Sequence, residues 1–206
     1  MPKIVDRKKR KIEILSASID TFYTFGMEKT SMKQIAEGLG IGRSSLYSYF
    51  TNRDEILHAS FEYAVAEFNS IKKQILESEL TIPERIFQLL SATLSNDSEI
   101  KKVMVIVLDY LARLQRLRKK IDPLLISFSH QIQELFKELL RQGIERGELI
   151  KHNVDNMSFI LYSLSKSFLF QKTFYGELDS YTNIKSLQLV LKGIIIEKKR
   201  DQGGLI

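Results

Sequence analysis

The chain has no cysteine and no tryptophan in 206 residues. Without thiols there is no disulfide, no cysteine nucleophile and no thiolate metal site, and a reducing compartment is the natural expectation. No apolar run approaches the roughly 18 residues of a membrane span, and the N-terminus lacks the apolar core of a signal peptide, so a cytoplasmic protein is expected. Histidine occurs three times, as His58, His130 and His152. None has a partner at the i, i+4 spacing of a helical metal site, and there is no Gly-rich phosphate loop or Gly-x-Ser-x-Gly elbow. No catalytic residue, metal ligand or cofactor is therefore expected.

What is present is helical pattern and positive charge. Apolar residues make up 44% of the chain and recur at helical spacing, with no strand pattern and no internal repeat, which predicts an all-α fold. The formal net charge is +6. Part of it crowds the first eleven residues, where Lys3, Arg7, Lys8, Lys9, Arg10 and Lys11 face Asp6 alone. A terminal charge run is often only solubilising, but ahead of a DNA-reading unit it would neutralise backbone phosphates without discriminating sequence.

The chain is organised around Thr30 to Arg53. Ser31 and Gln34 form a capping box that starts a helix at Met32, and Met32, Ile35, Ala36 and Leu39 line one apolar stripe. Gly40 ends it in the left-handed conformation, and Ile41 plugs the corner of the turn. Gly42 caps a second helix, Arg43 to Phe50, whose buried face is Leu46 and Phe50. Arg43, Ser44, Ser45, Tyr47, Ser48 and Tyr49 are left outward, a short, polar and almost uncharged set suited to a major groove. An ordinary helical hairpin with a solvated face is the alternative for these two helices taken alone. The preceding helix runs from Lys11 to Phe25 on Ile12, Leu15, Ile19, Phe22 and, on a flank, Phe25. Asn52 caps the following one, with Glu55 at its third position.

The residues Ile14-Leu15, Phe22, Gly26, Thr30-Ser31, Ile35-Ala36, Gly40-Ile41, Leu46-Tyr47, Phe50, Arg53 and Glu55-Ile56-Leu57 resemble the tetracycline-repressor (TetR) family of bacterial regulators over about the first 60 residues. Two departures stand out: Ser18 replaces a small apolar residue, and Gly42-Arg43-Ser44-Ser45 replaces the common Ser-Lys-Gly-Thr type turn. The resemblance implies an N-terminal three-helix helix-turn-helix domain, residues 1–52, and a helical domain, residues 53–206, for effector binding and dimerisation. Arg43, Ser45, Tyr47 and Ser48 are then expected at bases or nearby phosphates, and Ser44 is counted with the DNA-binding set. Thr30, Ser31, Lys33, Tyr49, Thr51 and Arg53 are expected to position the DNA backbone.

Beyond Asn52 the stripe Leu57, Phe61, Ala64, Phe68, Ile71 and Ile75 predicts a long helix linking the two regions. Thr81 and Pro83 start a short helix on Ile86, Phe87, Leu90 and Leu94, closed by Ser95-Asn96-Asp97-Ser98. A helix from about Glu99 to Leu117 follows, and the cations Arg113, Arg116, Arg118, Lys119 and Lys120 at its end are read as complements of the helix dipole. Pro123 starts the next helix, which Gly143 and Gly147 end. Asp155 caps a helix to Tyr175, another spans about Thr182 to Lys199, and Asp201 to Ile206 fray.

The last two helices carry more apolar surface than a small domain buries, and the resemblance implies that they pair with those of a second copy as a homodimer, so that two half-sites of palindromic operator DNA are read. Tyr63, Phe68, Phe87, Met104, Tyr110, Phe128, Phe159 and Tyr162 are the candidate lining of a small-molecule site, with an apolar or acyl-like effector favoured by the scarcity of charge on those faces. The expected function is a repressor that leaves its operator when the effector binds. Two rivals remain at this point: a regulator of the same fold whose C-terminal domain recognises a protein instead, and a helical enzyme.

Overall fold

The computed structural model describes residues 6–92, 98–175 and 180–195. Lys3, the Leu94 end of the fifth helix with Ser95-Asn96-Asp97, and the tail from Asp201 lie outside them. Among the described residues the elements are α1 (Arg7–Phe25), α2 (Met32–Gly38), α3 (Arg43–Tyr47), α4 (Arg53–Glu77), α5 (Ile82–Ala92), α6 (Ser98–Arg116), α7 (Pro123–Glu145), α8 (Val154–Tyr175) and α9 (Ser180–Lys192). The fold is all-α. Among those residues the only pairing of strand type is an isolated antiparallel bridge between Leu149 and Ile195, and no helix is long and apolar enough to cross a membrane. The chain divides into two compact units, residues 1–71 with 96–129 and residues 72–95 with 130–206.

In the first unit one apolar core joins α1, α2, α3, the start of α4 and α6. Ile14, Leu15, Ile19 and Phe22 meet Ile35, Ala36, Leu46, Phe50, Ile56, Leu57, Phe61 and Ile106 there. Ile12 and Phe25, expected on the buried stripe of α1, are exposed, and Ile14 takes the interior place. Ser18, the departure from the family pattern, is fully buried, and its hydroxyl donates to the Ile14 carbonyl at 2.6 Å, so no unsatisfied donor enters the core. Ile71 on α4, also expected inside, is exposed.

α6 grips α1 and the turn after it. The Met27 N–H donates to Asp109 Oδ2 at 3.0 Å, Lys102 pairs with Asp20, and Arg113 Nε lies 3.8 Å from Glu28 Oε1. A second clamp comes from α4, where Arg53 Nη1 donates to the carbonyls of Glu28 and Thr30, each at 2.7 Å. These two carbonyls lead into α2, so one guanidinium ties the start of α4 to the start of the helical hairpin.

The second unit corrects two helix boundaries. Gly143 does not end α7; the helix continues to Glu145, and Gly147, at φ 67°, is the terminating glycine. Gly143 is small for packing, since a Cβ there would lie 2.5 Å from Leu149 Cδ1 and 3.0 Å from Ile82 Cγ2. The cap of α8 is Asn153 and not Asp155: Asn153 Oδ1 accepts the Asn156 N–H at 2.9 Å, while Asp155 sits in the first turn and pairs with Lys137 of α7 at 3.0 Å. Thr81 caps α5 as expected, in a reciprocal arrangement with Glu84.

Arg53→Ala should lower the stability of the folded chain by about 1–3 kcal/mol, because it leaves two carbonyls without their charged donor. Arg53→Lys should recover only part of this, a single ammonium being a poorer fork than a guanidinium. Thermal unfolding of the three proteins checks it, and equal midpoints would show that the clamp is not structural.

Candidate nucleic-acid interface

The hairpin is built by local rules. The Ser31 hydroxyl accepts from the Gln34 N–H at 3.3 Å, and Gln34 Oε1 accepts from the Ser31 N–H at 2.8 Å, which completes the capping box of α2. At its far end the Gly40 N–H donates to the Glu37 carbonyl and the Ile41 N–H to the Ala36 carbonyl, both at 3.0 Å. That double closure needs a left-handed residue, and Gly40 supplies it at φ 62°. Ile41 is half-buried against the core at the corner.

α3 is shorter than the rod from Arg43 to Phe50 that the sequence suggested. It is helical over Arg43–Tyr47 and then tightens, the Tyr49 N–H reaching Leu46 and the Ser48 N–H reaching both Ser44 and Ser45. A periodicity of two anchors cannot distinguish an α-turn from a closing 3₁₀ turn. The orientation is as expected: Leu46 and Phe50 are buried, while Arg43, Ser44, Ser45, Tyr47 and Ser48 are exposed and Tyr49 is half-buried. No side chain caps Gly42.

Several expected backbone-positioning residues are already engaged within the protein. Thr30 is 1% exposed, and its hydroxyl donates to the Gly26 carbonyl at 2.7 Å, so it does not face a phosphate. Its burial closes the turn after α1. The Ser31 hydroxyl is part of the cap, and the Arg53 guanidinium is the clamp described above. Lys33 is exposed and lies 3.6 Å from Glu37. The Thr51 N–H donates to Glu55 Oε2 at 2.6 Å, and this bond holds the Glu55 carboxyl below its ordinary range. A carboxyl so lowered contributes its stability fully above the ordinary carboxylate pKa and loses it as acidification passes the lowered one.

The basic run extends the exposed face. α1 begins at Arg7, four residues earlier than Lys11, because Asp6 accepts the N–H groups of Lys8 and Lys9. Arg7, Lys8, Lys9, Arg10 and Lys11 therefore occupy the first turns of a helix, with no acidic residue in its first turn. Cations there oppose the helix dipole by about 0.3–1 kcal/mol each, an arrangement that an external polyanion relieves. Two of them reach the turn that closes α3: Arg7 Nη2 donates to the Ser48 carbonyl at 3.3 Å, Arg7 Cζ stands 5.8 Å from the Tyr49 ring centre, and Lys11 Nζ lies 5.2 Å from that of Phe50. The sequence showed these residues as charge; that they brace the recognition turn across some forty residues was not visible in it.

The candidate effector residues separate into two groups. Tyr63, Phe68, Met104, Tyr110 and Phe128 are half-buried in the first unit, where Phe68 meets Phe128 edge-on at 5.2 Å and Phe61 meets Tyr110 at 5.7 Å. Burial pushes the Tyr63 and Tyr110 phenols up, with Glu67 adding to the first and Asp122 to the second. Phe87, Phe159 and Tyr162 belong to the second unit. Phe159 is 60% exposed and lines no interior; its position on α8 turns it outward. Tyr162 is buried with a hydroxyl that has no hydrogen-bond partner among the described residues.

Residues 14–60 match the family model of bacterial regulatory proteins, tetR family. Over 193 residues the chain is 23% identical to the uncharacterized HTH-type transcriptional regulator YhgD of Bacillus subtilis (strain 168), covering 92% of this chain and 97% of that protein. The ketosteroid transcriptional regulator KstR2 of Mycobacterium tuberculosis has the same fold, with a TM-score of 0.68, 24% identity and coverage of 91% and 96%. So does the transcriptional regulator FadR from Bacillus subtilis in complex with stearoyl-CoA, at a TM-score of 0.68, 17% identity and coverage of 87% and 96%. The matched segment is the hairpin with its bracing helices, and in it the chain is similar to the DNA-binding transcriptional regulators of the tetR family.

Proposed function

We propose that this regulator acts as a repressor, a homodimer that reads palindromic operator DNA through residues 1–52 and is released when residues 53–206 take up an apolar, acyl-like effector. The observation that carries the reading is the exposed, hydroxyl-rich side of Arg43 to Ser48, fixed from behind by buried Leu46 and Phe50. Arg43, Ser45, Tyr47 and Ser48 approach bases or adjoining phosphates, Arg43 being the one side chain of the set able to make a bidentate contact to guanine. Lys33, Tyr49, Thr51 and the α1 cations meet backbone phosphates, while Arg53, Thr30 and Ser31 act indirectly by holding the hairpin in shape.

One recognition helix of five residues reads few bases, so a two-fold pair is needed for useful discrimination. The surface for pairing is on α8 and α9, where Phe159, Leu189 and Val190 are each at least 60% exposed and Ile160, Phe170 and Phe174 are also exposed. Side chains of this size are seldom left in water in such number on neighbouring elements. The effector class is supported by the aromatic groups of α4, α6 and α7 within the first unit and by the stearoyl-CoA bound to FadR. An effector releases DNA only by its differential affinity for the DNA-incompetent state.

Selection of bound duplexes from a randomised pool tests the DNA reading. The wild-type protein should enrich a two-fold symmetric sequence. Arg43→Ala should bind with about 1–3 kcal/mol less free energy and lose preference at one symmetric pair of positions. An unchanged selected sequence and affinity would remove Arg43 from the readout. For the dimer, replacing Leu189 and Val190 together by glutamate should convert the sedimenting species to monomer while leaving helix content intact; a dimer that survives the double change would place the interface elsewhere.

A further inference from the structure

The segment between α6 and α7 plays no part in the function described so far. From Arg113 to Ile121 it reads Arg-Leu-Gln-Arg-Leu-Arg-Lys-Lys-Ile, five cations with no acidic residue. Complementing the dipole of α6 accounts for Arg113 and Arg116, which lie in its last turn. Arg118, Lys119 and Lys120 follow the end of the helix and add three more cations to a terminus that two already complement. Every residue from Gln115 to Ile121 is exposed.

The backbone singles out Arg118. Its N–H donates to the Gln115 carbonyl at 3.1 Å and that of Lys119 to the Leu114 carbonyl at 2.9 Å, the closure of a helix C-terminus in which glycine normally takes the left-handed place. Arg118 takes it instead, at φ 51°, and is the one non-glycine residue with positive φ among the described residues. A Cβ is strained there, so the closure alone would favour glycine.

The patch is followed at once by a carboxylate, Asp122. Asp122 is occupied, accepting the Leu124 N–H at 2.8 Å and lying 3.7 Å from His58 Nε2. Among the described residues no ion pair engages Arg118, Lys119 or Lys120. The patch begins beside the start of the hairpin: Arg113 reaches the Glu28 carboxylate, and the Glu28 carbonyl accepts from Arg53, whose other partner, Thr30, precedes the α2 cap.

We propose that the turn formed by residues 116–121 is a second phosphate-binding surface that takes the DNA backbone flanking the sequence read by Arg43 to Ser48. The inference rests on the DNA reading above and extends the footprint outward from each half-site. The patch supplies charge without base discrimination, so it raises affinity for any flank. Leu117 and Ile121, exposed beside the cations, also suit an acidic lipid surface. Continuity with the hairpin favours DNA.

The test uses the full-length protein, its selected core duplex, and the same core extended by about two helical turns on each side. Wild type should bind the extended duplex more tightly, with a steeper dependence of log K on log salt. Changing Lys119 and Lys120 to glutamine together with Arg118→Gly should abolish that gain, flattening the slope on the extended duplex by about 0.9 for each phosphate no longer neutralised and leaving the core duplex unaffected. Arg118→Gly alone guards against a folding artefact: it should raise the melting temperature by relieving the backbone while still flattening the slope. Slopes unchanged on the extended duplex, or flattened equally on the core, would overturn the proposal while leaving the hairpin reading intact. Failure of wild type to select any duplex would instead remove the reading on which it rests. Loss of binding to phosphatidylglycerol vesicles with DNA binding unaltered would reassign the patch to lipid and overturn the proposal.

Discussion

Leu46 and Phe50, both buried in the core shared by α1, α2, α4 and α6, hold a helix of five residues in a fixed orientation. In water such a segment would not persist, because helix nucleation fixes several residues before the first bond rewards it. Burying two side chains of this size contributes about 1.5–3 kcal/mol each, enough to order the turn only when the receiving surface is itself rigid. That rigidity has identifiable sources. The capping box at Ser31, the glycine closure at Gly40, the Arg53 clamp and the Asp109 contact each remove a freedom that the recognition turn would otherwise share.

Electrostatics then decides what the ordered surface meets. Five consecutive cations open α1 where the dipole disfavours them, and the outward side of α3 carries hydroxyls with a single arginine and no carboxylate. Both features are unfavourable or neutral for the isolated protein and favourable against a polyanion. Arg7 and Lys11 link them, since both cations reach the turn that closes α3. Charge that neutralises phosphate is thereby mechanically joined to the residues that face bases.

The parts legible in the sequence are those determined within a few residues. The Ser31–Gln34 box, Gly40, the Asn52 and Thr81 caps and the Leu46–Phe50 spacing all depend on neighbours no more than four positions away, and the structure contains each of them. What escapes a sequence reading depends on distant partners. Thr30 reads as an exposed N-terminal hydroxyl until α1 supplies the carbonyls that bury it, and Arg53 reads as a phosphate ligand until the turn after α1 is brought to it from 25 and 23 residues away. Gly143 reads as a helix end because glycine stops helices, yet glycine also makes room for close packing; only Leu149 and Ile82 reveal which applies. The aromatic residues are recognisable as a set. Their division between two compact units, with Phe159 turned outward, follows from chain topology, which periodicity does not carry.

The recognition turn is ordered by the core of the first unit before any DNA is present. Amide hydrogen exchange in the free protein measures this most directly, because protection reports the free energy of opening each bond. The amides of Leu46, Tyr49 and Phe50, all bonded within the turn, should exchange at rates close to those of Ile14 to Phe22 in α1. Exchange near the rate of an unstructured peptide, with α1 still protected, would contradict the account and mean that the turn forms only against its target.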